Sequence, residues 1–368
     1  MKRLTAIDAA RGIASVLVML YHCNSVVQSP IYFADQPFGG FFGSGSVRMP
    51  FFFAMSGFMV SWVHGRDLGR PERLRPYLLG RFARIYPTYW VVLGLVLIAY
   101  VGKLNASAGP GPVTLGKVIG SILLLPQPGA SYLTVAWTLQ AMVAFYLVAA
   151  LGIWRRSVGI AVFACWQAAV GVALALGIHL EFPWSFLLQT LFMDLLLGAV
   201  AAQGALQGWV KRQPREWFLA GVAYLLTAHL MEFNGRPLFP GDWSLLTNGI
   251  AASVTLMGLA TWERTTPLRV PRFLLAWGAA SYSIFLIHYP LLSILSKVGM
   301  RVGLGRWCGG EVIFVGFALA CIGAGILFHR FVEKPLTGWA RARLGLARSR
   351  TVGGGVGEGH GAEGEARP

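Results

Sequence analysis

Long apolar runs alternate with short polar loops along almost the whole chain. A helix needs about 20 apolar residues to cross a bilayer, and ten runs approach or reach that length. A shorter run at 115–126 is too brief to cross and is predicted to be re-entrant or interfacial. The pattern predicts an all-α integral membrane protein with about ten spans, at 8–28, 46–64, 81–102, 134–153, 157–178, 184–203, 216–231, 243–261, 277–298 and 311–331.

Composition favours the same class. Hydrophobic residues make up 55% of the 368 residues and charged residues 12%, against about 25% in soluble globular proteins. We predict one membrane domain over 1–345, followed by a Gly-rich polar tail over 346–368 that is disordered and cytoplasmic. The four cysteines are widely spaced and no metal-ligand spacing occurs, so neither a disulfide framework nor a metal site is predicted.

The distribution of Lys and Arg predicts the orientation. With both termini in the cytoplasm, most of the 31 basic residues fall in cytoplasmic loops, as the positive-inside rule requires. Those that face outward are Arg48, Lys103, Lys117, Arg236, Lys297, Arg301 and Arg306. The net charge of +16 then reflects orientation and contact with anionic lipids rather than binding of nucleic acid. We predict a multi-pass protein of the cytoplasmic (inner) cell membrane.

Two polar residues share one face of the first span. Arg11 and His22 are eleven residues apart, about 20° past three full turns, which separates them by about 16 Å in depth. Arg11 can pair locally with Asp8. No acid lies three or four residues from His22, and ionisable groups at membrane depth are costly and usually functional. We predict a functional His22; the alternative is a histidine hydrogen-bonded into the bundle for packing.

Arg81 and Arg84 lie at the mouth of the third span. Their i, i+3 spacing projects both from one helix face, and two guanidinium forks on one face suit a phosphate or pyrophosphate. The same residues can instead anchor the span on the cytoplasmic side, and the pattern leaves both interpretations open.

Polar residues also recur in the ninth span. His288 lies well inside it, one to two turns after Ser281 and Tyr282. These side chains either line a cavity or form hydrogen bonds between helices.

Three other positions receive a structural interpretation first. Trp137 suits an interfacial aromatic belt. Glu333 closes the last span, and local neutralisation by Lys334 is the favoured interpretation. Ser56 and Gly57 predict close helix packing rather than a nucleophile, because no base lies beside Ser56 in the sequence.

Six segments in order resemble membrane acyltransferase family 3 from Ile7 to about Leu336: IDAARGIASVLVMLYH, FFFAMSGF, RFARIYPTYW, AWTLQAMVAFYL, SYSIFLIH and FVEKP. The resemblance implies transfer of an acyl group, most of all acetyl, from cytoplasmic acyl-CoA. The expected acceptor is a hydroxyl of a cell-surface glycan, a lipid-linked sugar or a small molecule such as a macrolide.

The resemblance also implies roles for individual residues. His22 would take the proton of the attacking hydroxyl, or be acylated first. Arg81 and Arg84, with Arg11, would bind the acyl-CoA donor. Glu333 is a further catalytic candidate, and the candidates for substrate contact are Ser281, Tyr282, His288 and Trp137.

The chain departs from the family pattern at two places. Many relatives carry a glutamate where this chain has Met142 and Val143, and Gly-Val-Asp where it has residues 48–50. The candidates to replace the missing acid are Glu333, Asp194 and Glu181.

Two other classes of function stay open at this stage. Ten spans with intramembrane polar groups also permit a transporter or flippase, although no inverted repeat is evident. The absent glutamate permits a non-catalytic assembly partner, against which His22 and the two arginines argue.

Overall fold

The computed structural model describes residues 4–101 and 113–346, and these form helices with no strand among them. Short 3₁₀ turns occur at Pro37–Gly43, Gly65–Asp67 and Pro71–Arg73, and a π-helical turn at His329–Glu333. The α-helices are α1 (Thr5–Gln28), α2 (Arg48–His64), α3 (Leu74–Val101), α4 (Leu115–Ile122), α5 (Ala136–Trp154), α6 (Arg156–Leu176), α7 (Trp184–Leu187), α8 (Leu191–Gln207), α9 (Pro214–Phe233), α10 (Gly241–Thr265), α11 (Arg272–Arg301), α12 (Leu304–Trp307), α13 (Gly310–Phe328) and α14 (Lys334–Arg343).

Each of the ten predicted spans lies on a helix, or for 184–203 on the two closely spaced helices α7 and α8, which confirms the all-helical class and the multi-pass membrane character. Eight helical stretches in the described part of the chain are long and apolar enough to cross: Thr5–Gln28, Pro71–Val101, Ala136–Trp154, Arg156–Leu176, Trp184–Gln207, Gly241–Thr265, Arg272–Arg301 and Gly310–Arg343. The other two predicted spans correspond to α2 and α9. A total of ten crossings and cytoplasmic termini stay predictions, and the predicted tail beyond Leu346 lies outside the described residues.

The short run at 115–126 forms α4, which at about 1.5 Å per residue is near 12 Å long and cannot cross. The side chains of Tyr89 and Trp90, midway along α3, donate to carbonyls at the end of α4; the bond from Tyr89 to the carbonyl of Ser121 is 2.7 Å long. Side chains of α3 thus satisfy the hydrogen-bonding capacity of the last carbonyls of α4. Backbone polar groups within an apolar layer require such partners, because no water is present there.

Helices α1 and α11 pack along most of their length, although they are far apart in the chain. Gly12 and Gly278 lie at their closest approach. A methyl group added to Gly12 would collide with the backbone of α11, and one added to Gly278 would collide with the carbonyl of Asp8. Small residues permit such contact between backbones, so this pair fixes the register of the two helices.

A second close contact joins α2 to α8. A methyl group at Gly57 would collide with the backbone of Leu195, which confirms the predicted helix packing at this glycine. The neighbouring Ser56 donates its hydroxyl proton to the carbonyl of Phe52, 2.9 Å away in the same helix. Ser56 therefore has the bonding of a structural serine in a helix.

Candidate active site

The packing of α1 on α11 brings His22 and His288 together. Nδ1 of His22 lies 2.9 Å from Nε2 of His288, and Nδ1 of His288 lies 3.1 Å from the carbonyl oxygen of Ile284. A carbonyl oxygen only accepts, so His288 carries its proton on Nδ1 and accepts at Nε2. His22 must then donate from Nδ1, which leaves its Nε2 unprotonated and able to accept a proton.

The two histidines differ in accessibility. His288 is fully buried, whereas His22 is half-buried. The rings of Tyr21 and Tyr289 meet the His22 imidazole edge-on, with centroid distances of 5.1 and 5.2 Å. A substrate can therefore reach His22, whereas His288 is enclosed by protein on all sides. The sequence indicated both residues but gave no sign that they meet.

A cavity of about 180 Å³ lies between α1, α2, α3, α5 and α11. All three arginines proposed for the donor, Arg11, Arg81 and Arg84, line it. Ser281 and Tyr282 of α11 lie in the same wall. We call this space the arginine cavity; it brings five of the predicted site residues into one place.

Arg11 is fixed by α11 and by its own helix. Its Nε donates to the hydroxyl of Ser281 (3.1 Å) and its Nη2 to the carbonyl of Gly278 (2.8 Å). Asp8 lies 3.4 Å away, which confirms the predicted local pair. The guanidinium is thus oriented before any ligand arrives.

Arg84 is neutralised by an acid from the end of the chain's last long helix. Its Nη1 lies 2.5 Å from Oε1 of Glu333, whose Oε2 accepts from Ser283 (2.6 Å) and from Nδ1 of His329 (2.8 Å). The predicted local neutralisation of Glu333 by Lys334 is wrong, because Glu333 is fully buried and Lys334 is exposed. A π-helical turn ends at Glu333, and its extra residue changes the direction in which the following side chains project.

Arg81 is held by aromatic rings. Its guanidinium carbon lies 4.9 Å from the ring centroid of Tyr146 and 5.4 Å from that of Tyr77, within the range of cation–π attraction. Within residues 4–101 and 113–346, no carboxylate forms a salt bridge with Arg81. Of the three arginines of the cavity, Arg81 therefore keeps the charge that is most available to an anionic ligand.

Other predicted residues lie in different surroundings. Trp137 does not belong to the lining of the arginine cavity and stacks on Phe53, 6.1 Å between ring centroids. The hydroxyl of Tyr282 donates to the carbonyl of Ile85 across 2.9 Å. Trp137 and the buried His288 therefore both lie outside the cavity that Ser281 and Tyr282 line, and the Tyr282 hydroxyl is engaged in a helix contact.

The position of the missing glutamate faces the arginine cavity, since Met142 lines it. Glu333 is the replacement candidate that contacts an arginine of this cavity. Asp194 is buried near Gly249 of α10, and Glu181 is exposed on a loop.

Sequence reasoning missed two phenylalanines that separate the arginine cavity from the histidines. Phe52 and Phe285 both line the cavity and stack on each other with centroids 5.2 Å apart. The Phe285 ring also lies 5.9 Å from that of His288. The cavity thus ends one aromatic layer short of the histidine pair. In the sequence, both rings resemble ordinary core residues, and no signal distinguishes them.

Known proteins resemble this chain over most of its length. The model of the acyltransferase domain family matches residues 4–330. The exopolysaccharide production protein ExoZ of Rhizobium meliloti strain 1021 is 27% identical over 328 residues, covering 85% of this chain and 96% of that protein. Acyltransferase MdmB of Streptomyces mycarofaciens is 26% identical over 375 residues, covering 90% of this chain and 91% of that protein. No solved structure matches the chain.

Proposed function

Because the chain belongs to membrane acyltransferase family 3, we propose that it moves a short acyl group, acetyl, from cytoplasmic acyl-CoA to a hydroxyl of an exported or cell-surface glycan. The observation that carries the proposal is the accessible, base-competent His22 located just beyond a cavity lined by three arginines. In this proposal the protein works in the cytoplasmic membrane, with the arginine cavity open to the cytoplasm. ExoZ, whose name states a part in exopolysaccharide production, supports a glycan as acceptor.

The arginines would bind the phosphates of the donor. Arg81 supplies the least neutralised charge, and Arg84 and Arg11 add oriented guanidinium donors beside it. At about 180 Å³ the cavity is smaller than the roughly 300–1,000 Å³ of pockets that enclose drug-sized ligands. It suits the slim pantetheine arm, while the nucleotide stays at the mouth and the acyl end passes the layer of Phe52 and Phe285 to reach His22.

His22 then acts as the general base. Its Nε2 takes the hydroxyl proton as the acceptor oxygen attacks the thioester carbonyl carbon. The carbon–sulfur bond breaks, and the leaving thiolate takes the proton back from the imidazolium, so that an ester and free CoA are released. His288 keeps Nδ1 of His22 in the donating role throughout.

A covalent route competes with direct transfer. In that route Nε2 of His22 is acylated first and then passes the group to the acceptor. The free Nε2 serves either route; direct transfer requires both substrates in the site at once, and it is the route that we favour. An acylated His22 that accumulates with donor alone would select the covalent route.

The decisive experiment is release of free CoA from acetyl-CoA by the purified protein in detergent, with wild type beside His22→Ala. We expect slow release by the wild type only, while both proteins bind CoA. His179→Ala, which changes an exposed loop histidine, is the matched control and should behave as wild type. If the wild type neither releases CoA nor binds it, the proposal is overturned and a transporter or an assembly partner is favoured.

A further inference from the structure

A second and larger cavity, of about 630 Å³, lies on the other side of α1. It is bounded by α1, the start of α2, α9, α10 and the start of α11, with the turn Pro37–Gly43 at one end, and its walls are almost entirely apolar. Along α1 it extends from Ala6 to Leu17, about 16 Å at the helical rise, or roughly half of the apolar thickness of a bilayer. We call it the apolar cavity; α1, α2 and α11 contribute residues to the walls of both cavities.

The apolar cavity opens sideways. Ile13, Leu17 and Leu226 line it and are also 38%, 38% and 58% exposed. In a membrane, these side chains would face the hydrocarbon layer. A hydrophobic chain can therefore enter from the bilayer without passing through water.

The predicted outer end of the cavity carries a cation, Arg48. Its Nη1 donates to the carbonyls of Phe42 and Ser44. In the described part of the chain no carboxylate forms a salt bridge with Arg48, because the nearby Glu232 binds the hydroxyl and backbone of Ser46 instead. The Nε and Nη2 donors of Arg48 are thus left for an anion.

The same end leads to the candidate base. The guanidinium carbon of Arg48 lies 3.9 Å from the centroid of the Tyr21 ring, and that ring lies 5.1 Å from the His22 imidazole. An anion held at Arg48 would therefore place whatever is attached to it near His22.

We propose that the acceptor is a sugar carried by a long-chain lipid phosphate, with the hydrocarbon chain in the apolar cavity, the phosphate at Arg48 and the sugar hydroxyl at His22. The inference rests on the proposed acyl transfer and specifies its acceptor class. Three observations support it. The apolar cavity opens to the bilayer, Arg48 lies at its outer end, and the ring of Tyr21 connects Arg48 to His22.

The test measures binding of undecaprenyl monophosphate to the full-length protein in nanodiscs, with phosphatidylglycerol and inorganic phosphate as competing probes. Leu226→Trp should fill the cavity and weaken binding at least tenfold. Leu230→Trp is the matched control: it changes an exposed leucine of the same helix, one turn away, that does not line the cavity. Arg48→Gln should also weaken binding about tenfold and Arg48→Lys less, whereas Arg269→Gln, at the opposite end of the cavity, should have no effect.

CoA release from acetyl-CoA, measured on the same proteins, separates this inference from the proposed function. Leu226→Trp should lose lipid binding and keep CoA release, because it leaves the arginine cavity intact. Equal affinity for phosphatidylglycerol would overturn the inference and identify an ordinary lipid site. Binding that is unchanged in Leu226→Trp, or no binding by a wild type that releases CoA, would also overturn it.

Discussion

At the residue scale, His288 decides which nitrogen of His22 can act. Its Nδ1 donates a hydrogen bond to the carbonyl of Ile284, and its Nε2 accepts a hydrogen bond from Nδ1 of His22. A neutral imidazole has one donor and one acceptor nitrogen, so this bond assigns the acceptor role to the far nitrogen of His22. In the proposed mechanism His288 is therefore a positioning residue that acts through His22.

We expect His288→Ala to lower kcat by roughly 10- to 100-fold with little change in the KM for acetyl-CoA, as for partners that orient a reactive group. His288→Gln should retain more activity, because its amide oxygen can accept the proton of His22 Nδ1. Steady-state kinetics of CoA release would measure both. Equal loss of activity in the Ala and Gln variants would contradict the role of His288 as the acceptor that orients His22.

Substitutions of Arg81 and of Arg84 should have different effects, the first on donor binding and the second on stability. Arg81→Ala removes a charge without an acidic partner, so the KM for acetyl-CoA should rise about 10- to 100-fold, the equivalent of roughly 1.5–3 kcal/mol for charged hydrogen bonds. Arg84→Ala removes the guanidinium partner of the buried Glu333, which keeps only its bonds to Ser283 and His329, and should lower the free energy of unfolding by about 3–5 kcal/mol. Donor titrations and thermal unfolding in detergent distinguish the two effects.

Two further variants serve as controls for Arg81→Ala and Arg84→Ala. Arg75→Ala changes an exposed arginine of the same helix and should leave both measurements unchanged. Adding Glu333→Gln to Arg84→Ala should restore part of the lost stability. Equal loss of protein in all three arginine variants would mean that these residues only orient α3 in the membrane.

Sequence reasoning succeeded where partners are close in the chain and failed where they are distant. The pair of Asp8 with Arg11 follows from helical spacing alone. The partners of Glu333 on α3 and α11 are 249 and 50 residues away, so the nearer Lys334 was the wrong choice. The pairing of two recognised histidines, His22 with His288, was hidden for the same reason.

At the element scale, the crossing of α1 and α11 holds both halves of the candidate site in register. Gly12→Ala should force the helices apart, cost about 1–3 kcal/mol of stability and reduce CoA release more than the stability loss explains. The bonds of Arg11 to α11 and the histidine pair both depend on that distance. Thermal unfolding and CoA release should be measured on the same preparation.

Gly94→Ala is the matched control for that change. Gly94 lies in the helix interior of α3 with nothing within 4 Å of an added methyl group, so the variant should be neutral or slightly more stable. If Gly12→Ala also left activity and stability unchanged, the close contact of α1 and α11 would not be what positions the site.

Hydrophobic runs predicted the helices well because burial in a bilayer requires length and apolarity, which a sequence shows directly. They also identified α4 as too short to cross. The π-helical turn before Lys334 was invisible, since one extra residue in a turn leaves no mark on the hydrophobic pattern. The aromatic layer of Phe52 and Phe285 was equally hidden, because its meaning arises only from the space on either side.

At the scale of the whole molecule, the sidedness of the chain depends on whether α2 and α9 cross. In a cysteine-free variant, we expect Pro237→Cys, after α9, to react with a membrane-impermeant maleimide in intact cells. Arg70→Cys, after α2, should react only after the membrane is disrupted. Both positions are exposed on loops. Labelling of Arg70→Cys from outside would show that α2 does not cross.

The two cavities belong to the assembled bundle and not to any segment of it. The arginine cavity takes its walls from α1, α2, α3, α5 and α11, and the apolar cavity takes its walls from α1, α2, α9, α10 and α11. Periodicity predicts which residues share a helix face, but it does not say which faces enclose a space. The apolar cavity was therefore absent from the sequence-based predictions, although every helix that bounds it was present.

The pairing of α1 with α11 also has a consequence for biosynthesis. His22 and His288 are 266 residues apart, so a ribosome adding about 5–20 residues per second completes His288 roughly 13–53 s after His22. During that interval the nascent chain can insert one span after another, while the imidazole of His22 still lacks His288, the partner that determines which of its nitrogens is unprotonated. A stalled or truncated translation product would therefore reach the membrane inert, and the proposed acyl-CoA donor would meet a competent site only when synthesis was nearly finished.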